Sequence, residues 1–180
     1  MEFQETAVAG AFRIEPSVFS DDRGFFLRGW CRDEMSQAGI DVTFVQSNLA
    51  GSRYKGTLRG LHYQVAPDEE AKLIRCVRGS IFDVVVDIRS GSETYGQWHG
   101  EILNADNRNM LFVPPGCAHG YLTLEDNSDV YYLVSAPYSP KSERGIRWDD
   151  PAFNIDWPIR EELILSDKDQ AWPEFHLESK

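Results

Sequence analysis

With 180 residues, 42% of them hydrophobic and 12% aromatic, the chain has material for one domain with a sizeable buried core. Its 18 Lys and Arg against 29 Asp and Glu leave a formal charge of -11, which on average repels a nucleic-acid backbone or an anionic membrane surface. A few converging arginines would still suffice for a local pocket that takes a small anion.

The N-terminal stretch MEFQETAVAGAFRIEP carries acidic residues where a secretion signal needs a basic flank, and no window approaches the length of a membrane span, so a soluble, cytoplasmic protein is expected. Within it, the apolar run AVAGAFRI reads as a strand available to pair with a second copy across a two-fold axis. A helix is predicted over Arg32–Ala38, where charged and apolar residues precede Gly39 as a stop. From Val42 onward come short runs rich in Val, Ile, Tyr and Phe, each closed by Gly, Pro, Asn or Ser. These predict strands at Val42–Leu49, Thr57–Gln64, Lys72–Val77, Ile81–Ile88, Gln97–Leu103, Met110–Val113, His119–Leu124 and Val130–Ser135. One further helical turn is expected near Arg160–Leu163. The spacing is that of an all-β sandwich or barrel, and no linker or low-complexity segment divides residues 1–180. Cys31, Cys76 and Cys117 are widely spaced and form no CxxC pair, so they read as reduced, buried thiols.

Several of the predicted strands carry polar residues that a pure core would reject. In IFDVVVDIR, Asp83 and Asp87 share one strand face, which is either solvated or lines a polar cavity where Asp83 could orient a histidine or lysine. Arg59, His62, Gln64, Lys72 and Arg75 also fall within strands. By itself His62 would read as a core histidine with a partner, and His119 as a side chain aimed by the Pro-Pro-Gly turn before it. Arg59 and His62 are three apart and so face opposite sides of a regular strand. If both reach one cavity, the strand must bulge or kink, and Gly60 is the natural place.

The segments DDRGFF, FVQSN, LRGLHYQ, AKLIRCVRGSIFDVVVDIR, PPGCAHGY, VYYLVSAPYSP, ERGIRWDDP and LSDKD, in this order from Asp21 to Asp169, resemble the dTDP-4-dehydrorhamnose 3,5-epimerase family. The resemblance implies a double-stranded β-helix of the cupin or jelly-roll type that epimerises nucleotide-linked 4-keto-6-deoxy sugars without cofactor or metal. It implies a catalytic base at His62, a partnering carboxylate at Asp169, a catalytic tyrosine at Tyr132 and a lysine for the keto oxygen at Lys72. Substrate-binding positions fall on Arg23, Gln46, Asn48, Arg59, His119, Glu143 and Lys168, and dimers formed by strand exchange are implied as well.

That chemistry suits those residue types. A proton beside a ketone becomes removable when a fixed cation such as Lys72 stabilises the enolate oxygen, and a histidine supplies a base active near neutrality. Inversion needs an acid on the opposite face, for which a tyrosine hydroxyl is suited. Read from residue type alone, Tyr131, Tyr132 and Tyr138 would be packing groups, Asp169 a surface carboxylate or turn cap, and Lys168 a solvated side chain. No transition metal is expected: the HxH pair of metal-binding cupins is missing, since Tyr63 and Gln64 follow His62, and Lys72 would repel a divalent ion.

One position departs from the family pattern. Where dTDP-sugar enzymes commonly carry glutamate five residues after the DxRG arginine, this chain has Arg28, which either faces the pocket and alters nucleotide or sugar preference or turns outward to a surface carboxylate. A related 3-epimerase or 3,4-ketoisomerase acting on another nucleotide sugar, and a non-catalytic sugar-nucleotide binder, remain as alternatives. Retention of His62, Lys72, Tyr132 and Asp169 together counts against the binder.

Overall fold

The computed structural model describes residues 1–177. Among them the short β-branched and aromatic runs form strands β1 (Glu2–Glu5), β2 (Phe12–Glu15), β3 (Val18–Asp21), β4 (Gly24–Leu27), β5 (Gln46–Ser52), β6 (Leu58–Gln64) and β7 (Lys72–Arg78). They continue with β8 (Ser80–Asp87), β9 (Trp98–Asn104), β10 (Met110–Val113), β11 (Cys117–Thr123), β12 (Ser128–Val134) and β13 (Glu143–Gly145). The helices are α1 (Arg32–Gln37) and α2 (Asp167–Gln170). All predicted strands from Lys72 to Ser135 are present within a residue or two of their expected ends. The first is displaced, running Gln46–Ser52 rather than Val42–Leu49, and the second starts at Leu58.

Two antiparallel sheets face each other, one ordered β1-β2-β10-β7-β12-β5 and the other β13-β6-β11-β8-β9, with β3-β4 as a separate hairpin. This is the cupin-type jelly roll. One part of the space between the sheets is closed by Ile74, Cys76, Leu111 and Val130 from the first sheet and Ile81, Val85, Leu103 and Cys117 from the second. The outer face of the five-stranded sheet is covered by the C-terminal segment, where Ile146, Phe153, Ile155 and Trp157 pack on Leu58, Leu61, Val84, Val86 and Leu122. Part of the outer face of the six-stranded sheet lies under Met35 of α1 and Ile40, on Ile14, Leu73, Met110 and Phe112. Covering on both faces explains why β8 reads VVV without alternation: Val84 and Val86 serve the outer layer and Val85 the inner one.

Three expectations need correction. The AVAGAFRI run is spent within its own chain: β2 pairs with β1 on one side and β10 on the other, and Val8, Ala11 and Ile14 are buried, so it is no free edge. The segment Arg160–Leu163 is a bend rather than a helical turn, with Glu162 at φ 54°, and the second helix forms four residues later behind the N-cap Ser166. Cys76 and Cys117 are buried and free, whereas Cys31, at the start of α1, is only half-buried. Burial pushes the Cys76 and Cys117 thiols up to about 11 and about 12. α1 itself ends as expected, with Gly39 at φ 80° after the cap Ala38.

Candidate active site

The open end of the barrel holds a cavity of about 500 Å³ lined by Arg59, His62 and His119 from the five-stranded sheet and by Ala50, Lys72 and Tyr132 from the six-stranded sheet. Ile164, Leu165, Ser166, Lys168 and Asp169 complete its wall from the C-terminal segment. A second space of about 310 Å³ shares His62, Lys72 and Tyr132 and extends to Gln46, Asn48, Glu70, Tyr138 and Glu143.

The irregularity in β6 is what brings Arg59 and His62 to one cavity. Opposite β11, His62 pairs with His119 while Arg59 pairs with Tyr121, so Gly120 alone faces both Gly60 and Leu61. Gly60 has φ 128°, and a Cβ there would come within 2.5 Å of Gly120 Cα and 2.9 Å of His119 O. Only glycine permits both the backbone conformation and the approach.

His62 donates from Nε2 to Asp169 Oδ1 at 2.5 Å, which leaves Nδ1 with the free lone pair. The His62 side chain is 28% exposed, through the cavity, whereas that of Asp169 is 5% exposed, so the pair presents one reactive group and hides the other. Asp169 is delivered by α2, whose N-cap Ser166 accepts from the Asp169 backbone N–H. Burial alone would raise the Asp169 carboxyl, but the hydrogen bond from His62 and its charge outweigh this and hold it below the usual range.

His119, directly across from His62, donates from Nε2 to Asp83 Oδ1 at 2.8 Å, and Asp83 is fully buried. Asp83 thus lines the polar interior rather than a solvated face. Asp87, on the same face, is also fully buried and bound by Arg89, Ser92 and Thr94. Burial opposes its ionisation, yet these hydrogen bonds bring its carboxyl down to about 2.

On the facing wall Tyr132 is half-buried, and burial, reinforced by Glu70, pushes its hydroxyl above the ordinary tyrosine value. A phenol so shifted stays protonated at neutral pH and can donate. Tyr131 points to the other face of β12 beside Arg75, and Tyr138 lies in the second space with its hydroxyl on Glu143 Oε2 at 2.9 Å. Lys72 Nζ is 3.1 Å from Glu70 Oε1. Gln46 donates to Asn48 Oδ1 at 2.9 Å, Arg59 reaches Gly51 O and Ser52 Oγ, and Lys168 Nζ lies 2.6 Å from Glu143 Oε1. Burial works against the Glu143 charge, but Lys168, Tyr138 and the neighbouring His62 lower its carboxyl. Among the described residues no three His, Cys, Asp or Glu side chains converge as a metal-holding cluster.

The family model described as dTDP-4-dehydrorhamnose 3,5-epimerase matches residues 5–176. The chain belongs to this epimerase family. A Shigella flexneri dTDP-4-dehydrorhamnose 3,5-epimerase is 45% identical over 170 residues, covering 94% of this chain and 93% of the relative. The crystal structure of the Bacillus anthracis dTDP-4-dehydrorhamnose 3,5-epimerase with TDP and PPi bound shares 42% identity, with TM-score 0.93 and coverage of 97% and 99% of the two chains. A 3'-monoepimerase, ChmJ from Streptomyces bikiniensis, in complex with dTDP-quinovose, is 36% identical with TM-score 0.87, covering 94% of this chain and 85% of the other.

Of the residues that the epimerase resemblance implied, ten line one or both spaces, and Arg23 does not. Arg23 stands at the tip of the β3-β4 hairpin, paired with Asp21 and 90% exposed, because this hairpin is hydrogen-bonded to neither large sheet. Arg28, just beyond β4, turns outward to Glu34 Oε1 on α1 and likewise stays outside the cavities of its own chain. Sequence reasoning passed over Glu70, which lies in the loop two residues before β7, outside the predicted strand, and meets Lys72 there. It also missed Trp172, whose ring meets that of His62 edge to face at 6.2 Å.

Proposed function

We propose that this member of the family epimerises a dTDP-linked 4-keto-6-deoxy hexose at C3, C5 or both, as in the conversion of dTDP-4-dehydro-6-deoxyglucose to dTDP-4-dehydrorhamnose. The observation that carries the reading is the division of the cavity: a carboxylate-tethered histidine on one wall, and a lysine with a high-pKa tyrosine on the other. His62, through Nδ1, takes the proton from the carbon beside the ketone, and Asp169 stabilises the resulting imidazolium. Lys72 offers its ammonium to the oxygen that becomes the enolate. Tyr132 returns a proton from the opposite face and inverts the centre. Arg59, His119, Gln46, Asn48, Glu143 and Lys168 hold the nucleotide sugar along the two adjoining spaces, and a nucleotide ligand accords with the TDP and PPi bound to the Bacillus anthracis relative.

The same reading takes the enzyme as a homodimer. The β3-β4 hairpin exposes Phe19, Phe25 and Phe26 at 67%, 58% and 67%, and bears Arg23 away from its own cavity, which suits delivery of this arginine to a second copy. A cytoplasmic setting accords with three free cysteines.

The test is proton NMR in deuterium oxide with the dTDP sugar, following C3 and C5 separately. His62→Ala is expected to lower exchange at both carbons by about 10²-fold or more with sugar-nucleotide binding retained. Tyr132→Phe is expected to slow epimerisation more than exchange. Near-normal exchange in folded His62→Ala, or movement of the ketone to C3, would overturn the assignment.

A further inference from the structure

Trp172 is the first residue beyond the cap of α2 and borders neither space of the site, yet it lies against the pair at its centre. Its indole meets the His62 ring at 6.2 Å between centroids and 68° between planes, an edge-to-face contact. On its other flank Lys168 Nζ is 5.9 Å from the ring centre. The indole is seated in a space that only glycine leaves open: Gly145 of β13 pairs directly with His62 of β6, and a Cβ on Gly145 would fall among Trp172 Cε2, Cδ2 and Nε1. The indole nitrogen is itself buried and makes no hydrogen bond among the described residues. It nevertheless points its N–H near enough to Asp169 to favour the charged carboxylate, behind His62 and Ser166, without the geometry of a full hydrogen bond.

From this arrangement we infer that Trp172 is a positioning residue: seated over Gly145, it holds the His62 ring at one angle and closes the His62–Asp169 hydrogen bond to water. The inference rests on the reading of His62 as the base, since it concerns how that base is oriented. The physical ground is that a hydrogen bond to a carboxylate strengthens as water is excluded, and that an imidazole with one fixed partner can still rotate about its side-chain bonds unless a neighbour blocks it. Asp169 sets which nitrogen carries the proton; Trp172 sets where the other nitrogen points.

The test is imidazole-nitrogen NMR of His62 in the whole protein, together with steady-state kinetics on the dTDP sugar. Trp172→Ala is expected to replace the single Nε2–H tautomer by an exchanging mixture and to speed solvent exchange of that proton. It should also lower kcat by about 10- to 100-fold with KM little changed. Trp172→Phe, which keeps an edge-on ring, should restore most of both signals. Gly145→Ala, which displaces the indole without removing it, should reproduce the alanine effect and serves where Trp172→Ala does not fold. An unaltered tautomer and unaltered kcat in a folded Trp172→Ala protein would overturn the proposal. The NMR signals do not depend on turnover, so they decide the role of Trp172 even if His62→Ala shows that the base lies elsewhere.

Discussion

Replacing Asp169 by asparagine removes one charge beside His62 and changes almost nothing in volume. The bond lost is a charge-assisted one of 2.5 Å to a carboxylate whose side chain is 5% exposed, so solvent cannot replace it. Hydrogen bonds to charged groups contribute about 1.5–3 kcal/mol, and each 1.36 kcal/mol is tenfold, which gives about 10- to 10²-fold on the proton-transfer step. The asparagine amide can also present its N–H to His62 and favour the unproductive tautomer, a fault that costs up to about 10⁴-fold in triad enzymes. Loss of kcat by about 10²-fold with little change in KM is therefore expected, read as C3 and C5 exchange in deuterium oxide. Stability supplies an independent check. Because the folded Asp169 carboxyl titrates below its ordinary value of 3.8, the stability that it contributes is complete above that value and is lost as pH falls through the folded pKa. Urea midpoints of parent and Asp169→Asn should thus differ at pH 7 and converge below about pH 4. A folded Asp169→Asn enzyme with exchange within about threefold of the parent would refute the orienting role.

Asp87→Asn should cost stability without touching the cavity. A carboxyl moved from 3.8 to about 2 corresponds to about 2 kcal/mol, present above the unfolded value and lost as pH falls to about 2, so the difference in urea midpoint should close in that window. Gly60→Ala forces a Cβ against the backbone of Gly120 at a positive φ, and should destabilise by about 2–5 kcal/mol and depress exchange; a melting temperature equal to the parent's would contradict the close packing. Light scattering at micromolar concentration should give a dimer, and Phe26→Asp on the exposed hairpin should shift it to monomer; a monomeric parent would remove the basis for delivering Arg23 to a second copy.

The central strands were legible because their β-branched runs are long and cleanly closed, and the parity of Arg59 and His62 was enough to locate the slip at Gly60. Asp83 could be narrowed to two environments, and it took the partner strand β11, with His119 on it, to choose between them. What stayed hidden was short or contextual. β1, β2, β3, β4 and β13 have three or four residues each, too few for a period of two to stand out. α2 is four residues long, so without the family resemblance Asp169 is one acid among 29, although Ser166 three residues earlier is a readable cap. Trp172 gives no local sign at all: its place depends on the absence of a side chain at Gly145, on the distant strand β13.

The slip at Gly60 acts on its strand as a frameshift acts on a message: side chains alternate with a period of two, and one unmatched residue turns over everything downstream. A chain lacking Gly60 would restore that alternation and keep the pairing with β11. It would set Arg59 and His62 two apart on one face, both still turned to the cavity, with Leu61 alone between them on the apolar side. A strand that kept Gly60 but paired regularly through it is the one that would turn His62 into that apolar layer, so on this scaffold the accommodation of a single glycine decides whether the wall presents a base.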